Sequence, residues 1–241
     1  MILRNTTKIA IALSLLLAAG ASNAGERTAD DILRDYEKAS GGVEPWKKRK
    51  AIRMRQTVSV RGMNLQGSGE IIQTKTGAFR IEQELPVVGK LIKASNGKTI
   101  WSQDKINGLR ILEADEATQA RFESAWMAEL KLRTLYTTRK IVPASVDSEE
   151  CVELSTRGQP PVTRCFDRQT HLATTIKGNS VSPQGETPYT MKFLDYAQQD
   201  GITMSRRQEI HAGPAVLDIR FEGVEWDPKI DPAIFKLPKV K

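Results

Sequence analysis

Three hydrophobic patterns divide the chain. The first is an unbroken apolar run, IAIALSLLLAA, at positions 9–19. The second has helical spacing. Between Thr28 and Ser40 the residues Ile32, Leu33, Tyr36 and Ala39 fall on one face, which predicts a short amphipathic helix. Thr28 is placed to cap it, with Asp31 three residues on and acidic residues in the first turn. Gly41-Gly42 stops it, glycine being the usual residue just past a helix end. The third pattern is alternation. Ile52, Met54, Val58 and Val60 alternate with Arg53, Arg55, Thr57, Ser59 and Arg61. The same period of two recurs over Phe79–Leu85, through Tyr189, Met191 and Phe193, and through Leu217, Ile219 and Phe221. Half-buried strands produce this pattern.

Further strands are predicted at 65–75, 90–95, 99–102, 109–112, 138–142, 150–156, 162–168, 171–178, 187–197, 202–211 and 215–226. Asn96-Gly97 and Asn107-Gly108 are hairpin signals, because both residue types accept positive φ. Gly67 and Gly69 inside a strand suggest a bend or bulge in a curved sheet. One stretch interrupts the strands: 115–136 lacks Gly and Pro, and Phe122, Trp126 and Leu130 recur at helical spacing, predicting a single long helix. Close strand spacing with turn residues between argues an antiparallel, mainly β fold.

The N-terminal run changes the picture of compartment. Arg4 and Lys8 precede it, and Ser22 and Ala24 fit the small-x-small rule for signal peptidase, with the cut before Gly25. The run is too short to span a bilayer, which needs about 20 apolar residues. The expectation is a cleaved signal at 1–24, a single domain at 25–241 and residence in the periplasm. The formal net charge of +7 falls to +5 without Arg4 and Lys8. That excess is spread along the chain, with no basic block interleaved with aromatics, which disfavours nucleic acid. Weak attraction to anionic lipid remains open.

Cys151 and Cys165 are the two cysteines. They flank two strand patterns joined by Gly158-Gln159-Pro160-Pro161, and a hairpin turning at Gly158 sets them opposite each other. A structural disulfide is expected in an oxidising compartment. A redox pair is the alternative, but the spacing is unlike C-x-x-C. His171 and His211, the two histidines, sit in strand patterns without ligand-spaced partners. Glu149-Glu150 and Asp115-Glu116 are adjacent carboxylates, read as solvated faces because neighbours point to opposite sides in a strand and sit about 100° apart in a helix. No catalytic motif, metal site or cofactor site is found.

The apolar faces admit two readings. The helices either plug a core or leave a cavity against a concave sheet; composition alone favours the plug. Several motifs bear on the choice. ADDILRDYEKASGG at 29–42, NGKTIW at 96–101, FDRQTHL at 166–172, Asp195-Tyr196, DGI at 200–202, FEGVE at 221–225 and IDPAIF at 230–235 resemble, in that order, the motifs of periplasmic outer-membrane lipoprotein-sorting proteins of the LolA/LolB-like superfamily. The resemblance spans essentially the mature chain. It implies a half-open, strongly curved antiparallel β-barrel covered by α-helices, with an apolar interior that holds acyl chains.

The resemblance also implies a non-enzymatic, monomeric carrier of a lipid or acylated lipoprotein, moving toward the outer membrane, with an inner-membrane transporter as a candidate partner. The inward residues would be Ile52, Met54, Val58, Phe79, Ile81, Trp101, Met191, Phe193, Leu217, Ile219 and Phe221, with Trp126 from the covering helix. A lipid-responsive sensor or adaptor on a membrane-protein partner, and an enzyme with an unrecognised site, are the competing readings. The dedicated carrier of the family uses an interior arginine as a latch, and no motif marks which arginine that would be here.

Overall fold

The computed structural model describes residues 27–183 and 185–238. The apolar run and its cleavage site lie outside them. Thirteen antiparallel strands among the described residues form one sheet: β1 Ala51–Val60, β2 Leu65–Thr74, β3 Ala78–Leu85, β4 Gly89–Asn96, β5 Ile100–Asp104, β6 Gly108–Ile111, β7 Thr138–Val142, β8 Glu149–Ser155, β9 Val162–Asp167, β10 Ala173–Ser182, β11 Gly185–Gln199, β12 Ile202–Ala212 and β13 Ala215–Trp226. The order across it is β6-β5-β4-β3-β2-β1-β13-β12-β11-β10-β9-β8-β7. The first and last strands therefore pair in the middle. The edges are β6 and β7, neighbours in sequence. The sheet curves without closing, and the segment between β6 and β7 crosses the gap.

Helix α1, Ala29–Ala39, begins with the capping box that Thr28 and Asp31 predict. The Thr28 hydroxyl accepts from the Asp31 N–H at 3.2 Å, and the Asp31 carboxylate accepts from the Thr28 N–H at 3.0 Å. Hydrogen bonds from the Thr28 side chain and backbone, then from Arg34, hold the Asp31 carboxyl down at about 2. The apolar face of α1 buries Ile32, Leu33 and Tyr36 against Val152, Leu154, Phe166 and Ala173 of β8–β10. Each such side chain contributes ~1.5–3 kcal/mol. Gly41 ends the helix at φ +95°, and a Cβ there would lie 1.9 Å from the Gly201 carbonyl oxygen. Only glycine fits that approach. A one-turn helix, α2 Glu44–Lys47, follows.

The long helix expected at 115–136 is instead three pieces. Helix α3 spans Ala114–Glu123, a 3₁₀ turn spans Ala128–Leu130, and α4 spans Leu132–Leu135. Met127 breaks the run with φ +62°. Packing outweighs helical spacing here. Trp126 is buried edge-on against Trp46 of α2 at 5.4 Å between ring centroids, and Glu129 reaches a buried arginine in the sheet.

Strand parity is also altered by the fold. Arg55 pairs with Gly223 but Gln56 pairs with Phe221, so Glu222 is an extra residue in β13. This bulge turns the alternation over. Phe221, Ile219 and Leu217 share a face with Gln56, Val58 and Val60, and beyond the bulge Val224 and Trp226 share it with Met54 and Ile52. Val58, Val60, Leu85 and Ile219 form a packed cluster that closes one end of the concave face. Cys151 and Cys165 are register partners and form a disulfide, with Gly158 in the turn at φ +76°.

Three smaller expectations change. His171 is not in a strand but in the β9–β10 turn at φ +58°, and its N–H donates to the Asp167 carbonyl at 2.8 Å. Glu150 is not solvated: its side chain is 10% exposed and binds Arg27 and Arg168. Glu116 is likewise enclosed, in a bidentate pair with Arg110. The partners of Glu150 and Glu116 lie outside their own strand or helix, whereas His171 belongs to a local turn closed by Asp167.

Candidate functional site

A cavity of about 310 Å³ lies between the concave face and the crossing segment. Its sheet wall carries Ile52 and Met54 of β1, Ile71 of β2, Ile81 of β3, and Phe193 and Phe221 of β11 and β13. Its roof is Tyr36 of α1 and Ser40 just past its end, Trp46 of α2, and residues from Ala120 to Leu130. Phe193 and Tyr196 both face it although they are three apart, which strict alternation forbids. Asp195 between them takes φ +53°. The Ser205 hydroxyl occupies the backbone freed there, accepting from the Leu194 N–H at 3.3 Å and donating to the Leu194 carbonyl at 2.8 Å.

The roof is tied to the sheet at two places. Trp46 stands edge-on to Trp126 of the roof and to Trp226 of β13, at 5.4 and 5.3 Å. Such contacts are worth ~0.5–1.5 kcal/mol beyond burial. The second tie is ionic. Arg164 of β9 donates two hydrogen bonds to Glu129 of the 3₁₀ turn, at 2.5 and 2.9 Å, and Tyr36 Oη donates to the same carboxylate at 3.1 Å. The Arg164 side chain is 9% exposed, whereas that of Glu129 is 49% exposed because it faces the cavity. Confinement pushes the Glu129 carboxyl up, but the Arg164 guanidinium and the hydrogen bonds from Arg164 and Tyr36 overcome this and leave it below the ordinary value. Burial works against the charge of Arg164, and Glu129 more than restores it.

All four tyrosines of the chain gather electrostatically about this pair. Burial raises each phenol, Tyr189 to about 12, so they act as neutral hydrogen-bonding groups. Glu123 and Lys93 are the remaining charges on the lining. Burial raises the Glu123 carboxyl against the opposing pull of Lys93 and Arg164. The wall is thus mostly apolar, with a polar strip along the roof. Glu149 and the two cysteines approach one another closely, but both sulfurs are consumed by the disulfide. His211 Nε2 lies 2.6 Å from Glu209, which also pairs with Arg61. No helix among the described residues is long and apolar enough to cross a membrane.

No protein-family model and no curated protein sequence matches the chain. Solved structures do. A LolA superfamily protein from Nitrosomonas europaea superposes with a TM-score of 0.57 at 12% identity, over 87% of this chain and 98% of that one. A DUF1329 family protein from Desulfovibrio piger gives 0.54 at 11% identity, over 86% and 95%. An outer membrane lipoprotein-sorting protein domain from Vibrio parahaemolyticus gives 0.51 at 9% identity, over 86% and 97%. This is the LolA-like fold.

Within the LolA-like cup, the structure brings together Ile52, Met54, Ile81, Phe193 and Phe221 of the twelve candidate residues. Val58 and Ile219, with Leu217 against them, belong to the closing cluster. Phe79 packs with Ile100, Leu112 and Ala120 under α3. Met191 pairs with Ile176 and Ile210 on the concave face, outside the lining. Trp126 is buried behind the roof. Trp101 turns its ring away from Ile100: its indole N–H donates to the Phe235 carbonyl at 3.1 Å under the C-terminal strap. Sequence reasoning missed Tyr36, Trp46, Ile71, Lys93, Glu129 and Arg164. One signal for the last was present, since Arg164 stands at inward parity between the apolar Val162 and Phe166.

Proposed function

We propose that this chain is an exported, non-enzymatic carrier that shields the acyl part of a lipid or lipoprotein on its way toward the outer membrane. Residues 1–24 would be removed as a signal peptide and residues 25–241 would act as one domain. The observation that carries the reading is a cavity with apolar lining, held between a LolA-like sheet and a separately tethered roof. Each CH₂ taken out of water gains about 0.8 kcal/mol, so an acyl chain crosses an aqueous space only inside such an enclosure. Ile52, Met54, Ile71, Ile81, Phe193 and Phe221 supply that surface. Tight burial alone would trap the cargo, and release requires a state in which the cavity opens. The Arg164–Glu129 tie and the tryptophan contacts are what hold the roof down.

The test is native mass spectrometry of protein purified from its own periplasm, joined to uptake of a fluorescent acyl chain by delipidated protein. Co-purifying lipid or acylated peptide, and uptake abolished by filling the cavity with Ile71→Trp, is the expected result. An empty native protein that takes up no acyl chain after delipidation overturns the reading. An adaptor would instead give a partner complex that persists without lipid.

A further inference from the structure

Among the described residues, the cavity lining carries one cation. Lys93 of β4 faces it, with Ile81 as its cross-strand neighbour. No ion pair or hydrogen bond to its ammonium group is found among the described residues. The other interior cation, Arg164, is already neutralised by Glu129. A lysine beside apolar lining is partly stripped of water, and a positive charge so placed gains most from an anion brought to it in that same low-dielectric space. Ligand pockets span ~300–1,000 Å³, so about 310 Å³ is at the small end. A space at that end of the range suits a small ligand such as an amphiphile with one acyl chain.

We propose that the ligand of this cavity, on the reading above, is a single-chain amphiphile with an anionic head whose charge rests on Lys93. The chain lies against Ile52, Met54, Ile81 and Phe221, and the head meets the ammonium group. Glu123 is the group that opposes this. It shares the lining with Lys93 and repels an incoming anion. Its carboxyl is pushed up by burial, which weakens the competing charge. Carboxylate and phosphate heads share the chemistry of a negative oxygen group, so a fatty acid and a lysophospholipid are both within the class.

The measurement is titration of the delipidated protein, read by isothermal calorimetry and by intrinsic tryptophan fluorescence, with four dodecyl probes below their micelle concentrations. They are dodecanoate, dodecyl phosphate, dodecanol and dodecyltrimethylammonium. A hydrogen bond to a charged group is worth ~1.5–3 kcal/mol, or about tenfold to a hundredfold in affinity. Dodecanoate or dodecyl phosphate, or both, should therefore bind at least tenfold more tightly than dodecanol, and dodecyltrimethylammonium most weakly. The stronger of the two anions tells which head the site prefers. Lys93→Met should remove the preference while keeping dodecanol binding, and Glu123→Gln should increase it. Equal binding of all four probes, or a preference that survives Lys93→Met, overturns the headgroup assignment and leaves the carrier reading standing. Failure of every probe to bind overturns the carrier reading as well. If Lys93→Met unfolds, Lys93→Gln with a melting curve replaces it, and Glu123→Gln supplies the opposite sign independently.

Discussion

The tie between roof and sheet predicts an asymmetry. Glu129→Gln leaves the Arg164 guanidinium, 9% exposed, without its counter-charge. Arg164 already has a buried Nε with no partner among the described residues. Leaving a buried charge uncompensated costs about 3–5 kcal/mol, and the amide oxygen of Gln still accepts one hydrogen bond, so the lower end applies. Arg164→Met leaves Glu129 instead. The Glu129 side chain is 49% exposed and lines the cavity, so cavity water together with the Tyr36 hydroxyl takes over the lost bonds, and the cost drops to about 1 kcal/mol. The assay is urea unfolding followed by tryptophan fluorescence, comparing midpoints at unchanged slope. In a domain of this size the difference corresponds to a melting-temperature gap of roughly 4–8 °C at ~2–4 °C per kcal/mol. The double variant should be no worse than Glu129→Gln alone, because both charges are then gone. Arg164→Met costing as much as Glu129→Gln would refute the claim that the cavity hydrates one partner and not the other.

Three further outcomes are expected. Replacing Cys151 and Cys165 together by alanine removes a bridge of sequence separation 14 and should lower stability by about 3 kcal/mol on the chain-entropy account, with the variant unresponsive to reductant in melting experiments. Gly67→Ala places a Cβ 1.9 Å from the Glu84 carbonyl oxygen across the β2–β3 ladder and should cost about 2 kcal/mol or more, while Gly223→Ala, which meets nothing within 4 Å, should stay within ~0.5 kcal/mol; equal melting temperatures would contradict the close approach. Because burial raises the Glu123 carboxyl, Glu123→Gln should match wild type well below the usual carboxylate range, where both states carry the proton. It should gain relative stability as pH rises through the raised folded value, since ionisation then costs the folded state more. An advantage confined to acid pH would reverse that sign.

Much of the fold was legible locally. Alternation, turn glycines and the Thr28–Asp31 cap operate over two to four residues, and those elements form where the pattern places them. The Cys151–Cys165 pairing was legible because a hairpin fixes its own register. The order of motifs was enough to indicate a half-open barrel under helices. The single helix at 115–136 failed because Trp126 and Glu129 answer to Trp46 and Arg164, whose distance along the chain hides them from any local period.

For the site the division is sharper. Hydrophobic alternation by itself marked the inward face along uninterrupted strand stretches, though not at Trp101 or across the irregularities at Glu222 and Asp195, and so offered Ile52, Met54, Ile81, Phe193 and Phe221 together with several that do not line the cavity. Only the tertiary structure decided between them. Inward residues at one end of the strands meet one another and become packed core, as Val58 and Ile219 do. At the other end the roof stands off the sheet and leaves the same kind of residue lining a space. Period-two patterning reports a face and carries no information on what lies opposite it. That depends on the bulge at Glu222, on the left-handed turn at Asp195 and on a crossing segment pinned by Arg164, each a consequence of contacts between distant parts of the chain.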